Sequence, residues 1–69
     1  MIPVTRLNGS ELFINPDLIL TIEVTPNTVI TFTSDEKIIV QESPDVIVNK
    51  IVEFQARVRK FKVSSEPED

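Results

Sequence analysis

Apolar positions follow two regimes along the chain. Up to Val40 they alternate with polar residues or bunch into short runs between polar breaks; from Ile47 onward they recur at helical spacing. In the first regime Ile2, Val4 and Arg6 share one face of an extended segment, and Pro3, Thr5 and Leu7 share the other. Pro3 cannot donate to a ladder, which suits a strand start or a sheet edge. Asn8-Gly9 signals a hairpin, because both residues tolerate positive φ. A second strand over Glu11–Ile14 follows. Asn15-Pro16-Asp17 ends it: Asn15 can accept hydrogen bonds from the following amides and Pro16 presets a turn φ, giving one helical turn over Pro16–Leu18. The stretch from Asn15 to Thr33 then reads as the central hairpin of a small sheet.

The third strand, Ile19–Thr25, sets Leu18, Leu20, Ile22 and Val24 in phase against Ile19, Thr21, Glu23 and Thr25. At Thr25-Pro26-Asn27-Thr28 the proline forbids a type I′ loop. The expectation is a type I turn with Pro26 at its second position in a longer loop, its register open by one residue. Strand four, Thr28–Thr33, places Val29, Thr31 and Thr33 on one side and Ile30 and Phe32 on the other. Ser34-Asp35-Glu36 turns into strand five, Lys37–Gln41. Three of the five strands carry apolar residues on both faces, where a sheet with one wet face would alternate cleanly. Either twist gives both faces partial cover, or a second face packs on another subunit.

Ser43-Pro44-Asp45 starts a helix, with Ser43 as N-cap, Pro44 at the first helical position and Asp45 facing the positive dipole end. The helix should end near Lys60 or Phe61, about 27 Å from its start. Ile47, Ile51, Phe54, Val58 and Phe61 form one stripe, widened by Val48 and Val52, with Val46 adding at the same end. Its first half suits docking on the sheet. Phe54, Arg57, Val58 and Phe61, toward the far end, are the candidate residues for partner contact. Arg57, Arg59, Lys60 and Lys62 either complement the helix dipole and keep the stripe soluble or form a docking patch for an acidic partner, RNA or anionic lipid. Glu53 and Arg57 have the spacing of an exposed ion pair. Glu23, mid-strand, is an outward edge charge or a cross-strand partner for a lysine.

The expected class is therefore small and mostly β (β+α): an antiparallel meander of about five short strands, then one C-terminal amphipathic helix. Residues 1–62 make a single domain and 63–69 a disordered acidic tail. A 69-residue chain buries only about 60% of its unfolded surface, so such domains usually add a disulfide, a metal or a partner subunit. Cysteine and histidine are both absent. Disulfides are excluded, the usual zinc ligands are missing, and self-association remains. The same absence rules out Ser-His-Asp and Cys-His catalysis and leaves carboxylates, lysines and hydroxyls for acid–base work, so no enzyme, cofactor, metal or small-molecule substrate is expected. A net charge of −4 and four Phe with no Tyr or Trp disfavour nucleic acid as a partner. No apolar run approaches the ~20 residues of a membrane span. The expected location is cytoplasmic, with membrane contact only through partners.

Several pieces, in order, carry a resemblance: Thr5-Arg6-Leu7-Asn8-Gly9, Asn15-Pro16-Asp17-Leu18-Ile19, Thr21-Ile22-Glu23, the Thr25–Thr31 segment with Pro26, and Glu42-Ser43 before the amphipathic helix. With these the chain resembles the FlbD/SwrD family of small flagellar proteins over about Met1 to Lys60. Asn8, Gly9, Asn15, Pro16, Asp17 and Pro26 are the signature turn residues. Ser34-Asp35-Glu36 departs from the Asn-Gly type of turn often found there, which could loosen or lengthen that loop. The resemblance implies a non-enzymatic cytoplasmic accessory of the bacterial flagellum, peripheral at its base, with motor or stator components as partners and a role in motility and swarming. It supplies no catalytic residues. The alternative reading is a small RNA-binding regulator resembling the carbon storage regulator family, which shares the order of five strands then a helix. That reading needs Arg6, Arg57, Arg59 and Lys60 to gather in an oligomer.

Overall fold

The first strand, β1 (Ile2–Thr5), pairs antiparallel with β2 (Glu11–Ile14), Val4 opposite Leu12 and Ile2 opposite Ile14. The structure, a computed structural model, describes the backbone of residues 1–65 and the side chains of residues 1–59. A 3-10 turn at Pro16–Leu18 leads into β3 (Ile19–Val24), β4 (Thr28–Phe32) and β5 (Lys37–Val40), and the helix α1 spans Pro44–Ser65. The expected class holds, five antiparallel strands followed by one C-terminal helix. The helix runs past its expected end near Lys60 or Phe61, into the first residues assigned to the tail; residues 66–69 lie outside the described residues.

One difference concerns the sheet. The strands form two sheets, β1–β2 and β3–β4–β5, rather than a single one. The Asn15 side chain accepts from the Asp17 amide at 3.0 Å and its carbonyl accepts from the Leu18 amide at 3.0 Å. That turn carries the chain off the β2 ladder, so β3 begins a new sheet. The two sheets meet where β1 ends beside β5: Arg6 bridges to Val40, the Leu7 amide donates to the Ile39 carbonyl at 3.1 Å and the Gln41 amide to the Thr5 carbonyl at 2.8 Å.

The hairpin loops that close β1–β2 and β4–β5 share one backbone plan. In the first, the Gly9 amide donates to the Arg6 carbonyl at 2.9 Å and the Arg6 amide to the Ser10 carbonyl at 2.7 Å. In the second, Asp35 donates to Phe32 and Phe32 to Glu36, both at 2.8 Å. Each is a three-residue loop with its third residue at positive φ, +94° at Gly9 and +76° at Asp35. Only Gly9, not Asn8, uses positive φ among the Asn8-Gly9 pair. Asn8 instead accepts from the Ser10 amide and hydroxyl at 2.9 and 2.8 Å. Ser34 takes the matching role, accepting from the Glu36 amide at 3.4 Å. The Ser34-Asp35 loop therefore has the same length as the Asn8-Gly9 loop.

The loop between β3 and β4 is not the expected type I turn. Its Thr25–Pro26 peptide is cis, and the Thr25 amide donates to the Asn27 carbonyl at 3.1 Å. The predicted phase of β3 also changes within the strand. Ile19 pairs with Phe32 and Thr21 with Thr31, so Leu20 is a bulge. The extra residue lets Ile19 and Ile22 both pack on the core while Leu20 stays exposed.

The core lies between the two sheets and the helix and contains Ile2, Val4, Ile14, Ile30, Val40 and Ile47. Every one is β-branched, the type that packs well on a pleated surface. The opposite face of the three-stranded sheet carries the rows Glu23–Val29–Ile39 and Thr21–Thr31–Lys37. It is a mixed face, two aliphatic residues among threonines and charges. Glu23 sits on the edge strand opposite Val29, exposed; no lysine is its cross-strand partner.

Candidate functional site

Helix α1 begins as its sequence dictates. Ser43 Oγ accepts from the Val46 amide at 3.4 Å, and the Ser43 carbonyl takes the first helical bond, from Ile47, at 3.1 Å. Ile47 is fully buried, and Ile51 and Phe54 pack against the core beside it. Val46, Val48 and Val52 do not widen this docked stripe: all three are exposed. Helical geometry explains the difference, because Val48 and Val52 lie roughly 100° around the axis from Ile47 and Ile51.

Two shallow clefts flank Phe54. One, about 270 Å³, runs between the start of β1 and the helix and is lined by Met1, Pro3, Lys50, Glu53, Phe54 and Arg57. The other, also about 270 Å³, is lined by Asp17, Phe54, Gln55, Val58 and Arg59. The structure thus brings three candidate contact residues together at the middle of the helix, Arg57 in the first cleft and Val58 in the second with Phe54 common to both. The side chain of Phe61 lies outside the described residues. Glu53 and Arg57 share a cleft without forming the expected ion pair; among the described residues the single ion pair is Lys50–Glu42.

Signature turn residues sit elsewhere and have backbone tasks. Asn8 and Gly9 shape the β1–β2 loop, Asn15 caps the 3-10 turn, Pro16 is buried at its start, Asp17 reaches the second cleft, and Pro26 lines a groove with Leu7 and Val24. Asp17 is thus where the turn signature and the clefts beside Phe54 meet.

A polar contact that spacing did not reveal fastens the helix to β1. Glu42, immediately before the N-cap, accepts from the Thr5 amide at 2.9 Å. Lys50 donates to the Pro3 carbonyl at 2.7 Å and lies 4.0 Å from the other Glu42 oxygen. Burial alone would raise the Glu42 pKa. Hydrogen bonds from the Thr5 amide and hydroxyl and from its own amide, with the Lys50 charge, outweigh that and hold it below the ordinary 4.5. The signal available in the sequence was only Glu42-Ser43 at the helix entrance. Nothing in the sequence pairs residues 3 and 50.

Among the described residues no three carboxylates gather as metal ligands, and no helix is long and apolar enough to cross a membrane. Comparison with known proteins agrees with the turn signature. No curated protein and no solved structure matches the chain. The family model FlbD, flagellar and swarming motility proteins, matches residues 1–59, from β1 into helix α1. The chain belongs to the FlbD family of flagellar and swarming motility proteins.

Proposed function

We propose that this motility protein acts without catalysis, at the cytoplasmic side of the flagellar base, by raising the power that the motor delivers through its stator. The observation that carries the reading is the family match across residues 1–59. Composition supports it, since a chain without His or Cys lacks the usual nucleophile–base pairs. The middle of α1, with Phe54, Arg57 and Val58 around two open clefts, supplies a surface that a motor component could engage.

The experiment is a clean deletion of the gene with torque measured on tethered cells and swarming scored on soft agar. The expected result is lower torque per motor with flagellar number unchanged, restored by the wild-type gene. Unchanged torque and unchanged swarming would refute the motor role. The RNA-binding alternative gains no support from the arrangement of cations. Arg6 follows β1 and lines a cleft with Lys37, whereas Arg57 lies by Met1 and Pro3 at the opposite end of that strand.

A further inference from the structure

A ribbon of α1 beside the docked stripe carries Asp45, Val48, Val52, Gln55 and Arg59, at spacings of three, four, three and four residues. That is the period of a helix–helix seam. The seam is open: Val48 and Val52 are 48% and 55% exposed, and Asp45, Gln55 and Arg59 are exposed as well. Ala56 beside Gln55 leaves room for a close approach. The charges sit at the two ends with opposite sign, each seven residues from Val52. Among the described residues neither Asp45 nor Arg59 has an ion-pair partner.

This placement decides the occupant and its direction. A second copy laid antiparallel about Val52 brings Asp45 of each chain to Arg59 of the other, Val48 to Ala56, and Val52 to itself. A parallel copy would set like charges against each other at both ends. The docked stripe of Ile47, Ile51 and Phe54 lies roughly 100° around the axis from Val48 and Val52, so the seam lies outside the core contact. We propose that the protein forms an antiparallel two-fold dimer through the Asp45–Arg59 face of α1. The proposal is independent of the motor reading, and its seam shares Gln55 and Arg59 with the cleft that also holds Phe54 and Val58. The seam is only about 21 Å long, and small interfaces belong to the transient class. The dimer is therefore concentration-dependent.

Sedimentation equilibrium of the full chain from about 10 to 500 µM tests it, a range that brackets weak association. The expected mass rises from monomer to dimer. D45R and R59D each weaken the dimer about tenfold, through two reversed surface pairs, and D45R/R59D together restores it to within about threefold. Circular dichroism and a melt confirm that each variant is folded; R59D lies far from the helix start, so it reads the seam even where D45R perturbs the N-terminal turn. The chain has no cysteine, so introduced thiols report orientation cleanly. Oxidising a mixture of D45C and R59C should cross-link one variant to the other. A monomer at every concentration, a dimer indifferent to both charge reversals, a double reversal that stays weak, or D45C linking only to itself would each overturn the proposal.

Discussion

The two faces of α1 have nearly the same aliphatic content and opposite fates. On one, Ile47 is fully buried and Ile51 and Phe54 pack beside it; on the other, Val48 and Val52 remain about half exposed. Side-chain hydrophobicity separates them only in part, since the outer face sets its two valines among Asp45, Gln55 and Arg59. Angular position completes the separation, together with the polar fastening of Lys50 to Pro3 and Glu42 to Thr5, which orients the helix on β1. The lesson is that an apolar stripe wider than its sheet leaves a remainder, and the remainder is available for association.

Substitutions can break this contrast or sharpen it. The largest expected effect is at Ile47, where I47A removes a buried anchor and should cost about 2–5 kcal/mol, read from chemical denaturation. A loss below about 1 kcal/mol would mean that the inner face does not hold the helix. Next is Glu42. E42Q keeps the shape but removes the charge that Thr5 and Lys50 favour, for an expected loss of about 1 kcal/mol at neutral pH.

The pH dependence follows from the same group. Its folded pKa lies below the ordinary 4.5, so the unfolded chain binds its proton first as acid is added. The contribution is present above the ordinary value and is lost as pH falls through the lower folded one. The stability gap between wild type and E42Q should therefore close on acidification below 4.5. A gap that stays constant would remove Glu42 from the account of how the helix is fastened. The smallest effect is on the outer face. V52A should leave the unfolding free energy of the dilute chain unchanged or raise it by about 0.5 kcal/mol, because Ala is the better helix former. Its effect should appear only in association.

Much of the fold could be read from residue order, and the exceptions have local causes. The strands, the Pro16–Leu18 turn and the Ser43-Pro44-Asp45 helix start were visible because proline, asparagine and serine act on neighbouring backbone. Positive φ at Asp35 was not, since an acidic residue there mimics what Gly9 does in the matching loop. The β3 phase failed at Leu20 because a bulge leaves no mark in the side-chain pattern. The fastening of residues 3, 5, 42 and 50 joins distant segments, so spacing could not disclose it. Of the candidate contact residues, Phe54, Arg57 and Val58 do converge at mid-helix, but the apolar spacing also places Val48 and Val52 on the docked face, where the structure does not. Telling the two faces apart required the orientation of the helix on β1.

The claim that the outer face of α1 pairs two copies is tested most directly by mixing two damaged variants. D45R and R59D each repel themselves along the seam, while a pair made of one of each restores opposite charges at both ends. The measurement is sedimentation velocity of each variant alone and of their equimolar mixture at one total concentration. The expected result is a slow, monomeric boundary for either variant alone and a faster, dimeric boundary for the mixture. A mixture that sediments as the simple average of its components would contradict the pairing.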